Sequence, residues 1–179
     1  DKVGAVIISD YAKGLITNNL AIEIIKMARE RGLKVLSDPV PQTFHKFKNS
    51  YLIKPNKNEA EEMTGIKLTD DISNAGELVK ALYAKLGSNL VITLGAGGMA
   101  VFDGEAISRV PTLAKEIYDV SGAGDTVMAA LALSLASGGD LRISALVGNY
   151  AAGIVVGKSG TSTVSAQEVL ESIEKNGVV

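Results

Sequence analysis

"VGAVIISDYAKGLITNNLAIEIIKMARERGLKVLSD", residues 3–38, decides how the fold is read. The run "VGAVIIS" (3–9) is short, apolar and rich in β-branched residues, and the polar "DYAKG" behind it breaks the pattern. "TNNLAIEIIKMARERG" then shows helical spacing, with Thr17 placed to cap its start and Gly32 to end it. "LKVLSD" returns to a β-rich run that stops at Asp38-Pro39. Strand, loop, helix and strand make the unit from which parallel sheets are built.

The chain on either side extends this rhythm and then changes it. "YLIKPN" supplies a third strand ending at Pro55-Asn56, and "NKNEAEEMTG" and "DISNAGELVKALYAKLG" carry helical spacing. In "NLVITLGAGGMAVFDGEAISRV" a glycine turn separates two apolar runs and a third follows Asp103-Gly104, a hairpin signal that turns neighbouring strands antiparallel. The last third holds two small-residue helices, "TVMAALALSLA" and "LRISALVGNYAAGIVVGKSG", and a final helix opened by the Ser165 and Glu168 capping box. The expected class is α/β, a mostly parallel sheet flanked by helices with an antiparallel hairpin. Because "TVMAALALSLA" is apolar all round, it is expected to be buried. Ligands of open α/β sheets bind beyond the carboxyl ends of the strands, which puts Asp10, Asp38, Asn56 and Thr93 on one rim.

Composition narrows the function. A length of 179 residues with 46% hydrophobic content suffices for one core, or for part of a larger domain. The net charge of -2, the lack of a long basic run and the absence of Trp offer nothing to nucleic acid or to an anionic membrane. With no cysteine, disulfides, iron–sulfur clusters and zinc ribbons are excluded, and a cytoplasmic location is expected. His45 is the lone histidine, so a multi-histidine metal site is ruled out, and a surface or packing role is expected for it. The run "VMAALALSLA" is about half of the roughly 20 residues a membrane span requires.

Two apparent phosphate motifs fail. "GKSG" (157–160) resembles the end of a Walker A loop, but Ala152 stands where that motif needs its first glycine. "GAGG" (95–98) follows a strand but precedes another, without dinucleotide spacing. "DVSGAGDT" (119–126) is different, because a glycine turn emptying into a helix presents N–H groups without partners to whatever approaches. From this octet alone, Asp125 is as readily a helix cap as a functional acid. Fixed amides stabilise charge developing on a transferred phosphoryl group, each worth roughly 3 kcal/mol. A carboxylate beside them can take the proton of an attacking alcohol, worth about 10²- to 10⁴-fold.

"DVSGAGDTVMAALA" (119–132) resembles, position by position, a signature of the PfkB or ribokinase-like carbohydrate kinases, and "PNKNE" (55–59), "TLGAGG" (93–98) and the tail "NYAAGIVVGKSGTSTVS" resemble further elements of that family in the same order. "DYAKG", "EIYDVSGAGDTV" and "AAGIVVGKSGTSTVS" are most similar to its heptose 7-phosphate kinases. The resemblance implies a ribokinase-like fold in which Asp125 is the catalytic base and Gly122, Ala123 and Gly124 form the anion hole. It implies Asn56, Glu59, Thr93, Gly95, Gly98 and Asn149 on ATP, with Glu59 also serving Mg2+ through water, and Asp10 and Lys13 on the sugar substrate. For K+ it implies Asp119, Ser121, Val155, Lys158, Gly160 and Thr163, although the Lys158 side chain could itself supply positive charge there. The implied reaction moves the ATP γ-phosphate to the anomeric hydroxyl of D-glycero-D-manno-heptose 7-phosphate, on the route to ADP-heptose and lipopolysaccharide core. Another sugar or nucleoside kinase of the family, or a nucleotide-binding module without catalysis, is the alternative.

Set against the family pattern, residues 1–179 correspond to the C-terminal, ATP-binding part of a kinase domain. An N-terminal half with a lid is expected to be missing, leaving an exposed sheet edge and a chain without independent activity. A homodimer is implied for the full-length form.

Overall fold

The computed structural model describes residues 3–69, 73–112 and 120–177. Six strands lie side by side in chain order: β1 (Ala5–Asp10), β2 (Lys34–Pro39), β3 (Leu52–Ile53), β4 (Asn89–Thr93), β5 (Met99–Phe102) and β6 (Ile107–Val110). The first four are parallel and the last two run antiparallel to their neighbours, as the glycine turn and Asp103-Gly104 predict. Gly98 enforces the first reversal. It has φ +80°, and a Cβ there would stand 2.1 Å from the Val110 carbonyl oxygen.

Helix α1 (Asn18–Glu30) returns the chain from β1 to β2, its start capped by the Thr17 hydroxyl, which accepts from Leu20 N–H. Between β2 and β3 there is no crossover helix, only a 3₁₀ turn (Phe44–Phe47) that sinks Phe47 completely into the core. His45 is exposed on that turn, edge-on to Phe44. Helices α2 (Lys57–Thr64) and α3 (Ala75–Leu86) both end at glycines in the left-handed region, Gly65 and Gly87, and lead into β4.

Strand alternation sorts the core into two layers. Ile8, Val35, Ile53, Leu90 and Ile92 face α1, α2 and α3, while Leu36, Leu52, Val91 and Val101 face α4 (Ala123–Ala136) and α5 (Leu141–Val156). Helix α6 (Ala166–Asn176) packs on α5 and begins at the expected Ser165 and Glu168 capping box. No helix among the described residues is long and apolar enough to cross a membrane.

The expectation that α4 is buried on every side is corrected. Val127, Met128, Leu131 and Leu135 are buried, but Leu133 is 71% exposed. The reason lies in the sheet order: α4 packs on β1 and β2, and β1 is the edge strand, with Ile7 itself 45% exposed. Contact at that edge is nonetheless close, since a Cβ on Gly4 would stand 2.7 Å from Cβ of Ala136.

Candidate active site

The carboxyl ends of β2, β3 and β4 open into a cleft of about 620 Å³. Its walls are the start of α2, the Gly95–Gly98 turn, the first turn of α4 and one side of α5. A cavity of about 480 Å³ at the opposite ends of the strands, near Tyr51, Tyr83 and Asp103, contains none of the predicted site residues.

Asn56 and Glu59 meet at the cleft as a capping box at the start of α2. The Asn56 side chain accepts from Glu59 N–H at 3.0 Å, and Glu59 Oε2 accepts from Asn56 N–H at 2.7 Å. Both therefore hold a structural position while facing the cleft, and Glu59 Oε1 takes no part in the box. Thr93 is tied to this corner, its N–H donating to Pro55 O at 3.0 Å, and Gly95 and Gly98 line the same wall. Asn149, 5% exposed on α5, donates through Nδ2 to Pro111 O at 2.7 Å, which fixes its amide where α5 meets the cleft.

Helix α4 opens into the cleft without a side-chain cap. Its N-cap is Gly122, at φ 80° and ψ -3°, a conformation that glycine adopts without steric cost. Asp125 is thus the third helical residue and not the cap; it is exposed and lines the cleft with Gly122, Ala123 and Gly124. Ala123 N–H is partly drawn away, donating to Val120 O at 3.2 Å. Among the described residues, no main-chain carbonyl accepts from the amides of Gly122, Gly124 or Asp125. Those amides converge on a helix start where an anion is favoured.

A pair absent from the sequence reading occupies the cleft floor. Lys54, at the end of β3 and 4% exposed, places Nζ 3.0 Å from Asp38 Oδ2 at the end of β2. Burial pushes the Asp38 carboxyl above its ordinary range, Lys54 opposes that, and the like charges of Glu59 and Asp125 add to the upward shift. Three carboxylates thus share one electrostatic neighbourhood.

Asp10 and Lys13 are not brought to the cleft, although neighbouring Tyr11 is. Asp10 is 3% exposed and serves the loop after β1, accepting from Ala12 N–H at 3.0 Å and from Lys46 Nζ at 3.2 Å. Burial pushes its carboxyl up, but bonds from Thr43, Ala12 and Lys46 outweigh this and hold it below the ordinary value. That Asx-type turn holds Asp10 on local backbone.

The oxygen set expected to hold K+ is altered by the chain itself. Lys158 Nζ donates to Thr163 O at 2.9 Å and to Glu168 Oε1 at 2.6 Å. Its ammonium thus claims one of the predicted oxygens, the Thr163 carbonyl. Val155 is buried within α5, Gly160 sits in a turn at φ 69°, Ser121 precedes α4, and Asp119 lies outside the described residues.

A sheet of this order, with an uncapped glycine helix start beside strand ends, defines a ribokinase-like α/β fold. The chain belongs to the pfkB family of carbohydrate kinases, whose model it matches over residues 3–168. It is 44% identical over 176 residues to the bifunctional protein HldE of Wolinella succinogenes, covering 96% of this chain and 36% of that relative. The HldE of Geobacter sulfurreducens is 41% identical over 176 residues, covering 97% and 36%. The chain therefore spans about a third of the length of these curated relatives. Among solved structures, it is similar to the Arabidopsis thaliana ribokinase complexed with ribose and ATP (TM-score 0.80, 23% identity, 96% of this chain and 56% of that one). The Escherichia coli phosphofructokinase-2 complexed with potassium matches at TM-score 0.82 and 21% identity over 97% and 58%. These structural likenesses establish the fold.

Proposed function

We propose that this chain is the nucleotide-side part of an ATP-dependent kinase that phosphorylates the anomeric hydroxyl of a heptose 7-phosphate. The observation that carries the reading is the placement of the Asp125 carboxylate in the same helix turn as the Gly122 and Gly124 amides, facing one cleft. The identity to bifunctional HldE proteins supports the heptose as acceptor over other sugars.

In this reading ATP lies between the Gly95–Gly98 turn and α5, with Asn56 and Thr93 toward its phosphates and Asn149 toward its base or ribose. The γ-phosphoryl group comes to the amides of Gly122 and Gly124, with Ala123 contributing less because its N–H is shared with Val120. These donors stabilise the charge spread over the equatorial oxygens in flight. Asp125 accepts the proton of the sugar hydroxyl as that oxygen bonds to phosphorus, and the bond to the ADP oxygen breaks with its electron pair leaving on ADP. Glu59, through its uncommitted Oε1, would hold Mg2+ by way of water, with Asp38 and Asp125 near enough to share its field. When bound, that ion neutralises phosphate charge. Substrate-side contacts from beyond this chain, and closure over the sugar, belong to the rest of the kinase.

The deciding experiment offers ATP, Mg2+ and a panel of sugars to the full-length protein. Heptose 7-phosphate must exceed ribose, fructose 6-phosphate and adenosine in kcat/KM. Asp125→Asn must keep ATP affinity within about twofold while kcat falls about 10²- to 10⁴-fold. Unchanged turnover in that variant would sink the base assignment.

A further inference from the structure

The groove between α1 and the 3₁₀ turn Phe44–Phe47 lies outside the nucleotide cleft and gathers positive charge. It encloses about 610 Å³, within the range of small-molecule sites, and Lys26, Arg29, His45, Lys46 and Lys48 line it beside a single acid, Glu30. Six of the chain's 18 lysines and arginines fall between Lys26 and Lys48, against Glu30 and Asp38, in a chain whose net charge is -2. The rest of the molecule is therefore acidic, and an anion is drawn to this side of it. The turn packs on β2 and α3, which places the groove over the inner strands and not beside the open edge of β1.

Two of these cations build the frame. Lys46 Nζ donates to Ile16 O at 2.7 Å and to Asp10 Oδ2 at 3.2 Å, so its charge is met. Arg29 gives one guanidinium N–H to Asn49 O at 2.9 Å, which ties α1 to the exit of the turn and leaves the rest of its fork uncommitted among the described residues. Asn49 fixes that corner at φ 65°, its own N–H on Leu86 O at 2.8 Å. Lys48 precedes it, and Lys26 stands three residues before Arg29 on the same face of α1. Both lysines are exposed and form no hydrogen bond or ion pair among the described residues, not even with Glu30. Like charges gathered in this way repel, and a bound anion relieves the repulsion. Lys26, Arg29 and Lys48 against Glu30 leave two positive charges, the complement of one phosphomonoester dianion.

The groove also has an extension. Ile25, Arg29 and Asn49 line both it and the crevice of about 480 Å³ at the opposite strand ends, where Tyr51, Tyr83, Asn89, Asp103 and Glu105 present hydroxyl, amide and carboxylate groups. Asp103 accepts from Glu105 and Ala106 N–H through Oδ1, which leaves Oδ2 to accept from a ligand. Such groups suit the hydroxyls of a sugar and not a hydrocarbon tail.

We propose that this groove is a second binding site that takes a sugar phosphate, with Lys26, Arg29 and Lys48 on the phosphoryl oxygens and the crevice beyond Arg29 on the sugar hydroxyls. It shares no residue with the nucleotide cleft and stands whether or not the chain is a kinase. A phospholipid headgroup carries similar charge, but the polar crevice favours a soluble ligand over an acyl chain.

The test follows hydrogen exchange of the full-length protein during titration with glucose 6-phosphate, ribose 5-phosphate, inorganic phosphate, glucose and phosphatidylglycerol vesicles. Wild type is compared with Lys26→Gln/Lys48→Gln and with Lys80→Gln/Lys175→Gln, which removes the same charge from exposed positions on α3 and α6. Both lysines of the groove are exposed and unpaired among the described residues, so their removal leaves the fold in place. At least one sugar phosphate should slow exchange over residues 22–30, 44–50 and 103–106, inorganic phosphate over the first two segments alone, and glucose over none. The groove variant should weaken sugar-phosphate binding at these segments by at least about tenfold, the loss expected when charge-assisted hydrogen bonds go, and the α3 and α6 variant should leave it unchanged. Added salt should weaken it as well. Equal affinity in wild type and the groove variant overturns the proposal, as does an equal loss in the α3 and α6 variant. Inorganic phosphate binding as tightly as both sugar phosphates overturns the role of the crevice, and protection by the vesicles alone assigns the groove to a lipid surface instead. Turnover enters none of these readouts, so their failure leaves the kinase reading standing.

Discussion

Asn56 and Glu59 are each other's partners twice over, side chain to backbone in both directions across the first turn of α2. A capping box alone explains both residues, and only its position at the cleft gives them a second duty. The two duties separate by mutation. Asn56→Ala removes the cap and should cost about 1 kcal/mol in urea denaturation. Glu59→Gln retains an acceptor at the same place, so stability should stay within about 0.5 kcal/mol while the Mg2+ concentration for half-maximal turnover rises. An unchanged Mg2+ requirement would leave Glu59 with the structural duty alone.

Gly98 and Gly95 sit three residues apart in one turn, yet they should tolerate a methyl group very differently. A Cβ on Gly98 meets Val110 O at 2.1 Å and Thr112 N at 2.7 Å, both backbone atoms that cannot swing aside, whereas a Cβ on Gly95 meets nothing within 4 Å. Gly95→Ala then carries only the left-handed backbone cost, about 1–2 kcal/mol. Gly98→Ala must move β6 away from β4 and β5 and should cost on the order of 3 kcal/mol or more, together with nucleotide affinity. Equal denaturation midpoints for the two variants would contradict this close approach.

What the sequence made legible follows from the range of the forces involved. Thr17, Ser165 and Asp103-Gly104 act within a few residues, and each does in the structure what its local chemistry predicts. The alternation of Leu90, Val91 and Ile92 between the two cores is equally local. The Lys54 and Asp38 pair was hidden because it joins positions 16 residues apart through the register of β2 with β3, and "LIKPN" reads as a strand end whatever its lysine touches. The pairing of Asp10 with Lys46 was hidden for the same reason, Lys46 standing beyond a helix and a strand. The composition of α4 could not show that its neighbour on one side, β1, would be an edge, and Leu133 is exposed as a result. The Gly122 helix start was legible as a motif, but whether its amides were spent on the chain's own carbonyls required coordinates.

Lys158 and Glu168 join the end of α5 to the start of α6 and make that joint sensitive to acid. The hydrogen bond from Lys158, with further bonds from Ser165, holds the Glu168 carboxyl down at about 2. A folded value below the unfolded one of 4.5 means that the contribution to stability is complete above the unfolded value. It declines as pH falls from there toward 2, because the unfolded chain takes up the proton first. Hydrogen exchange of α6 amides should therefore accelerate across that window, ahead of the amides of β4 in the core. Glu168→Gln should abolish this pH dependence and raise α6 exchange at neutral pH. In the same variant the Lys158 ammonium keeps its bond to Thr163 O, so a K+ requirement is expected neither before nor after the change. Stimulation of wild-type turnover by K+ but not by Na+ would show that the lysine does not take over that cation's place.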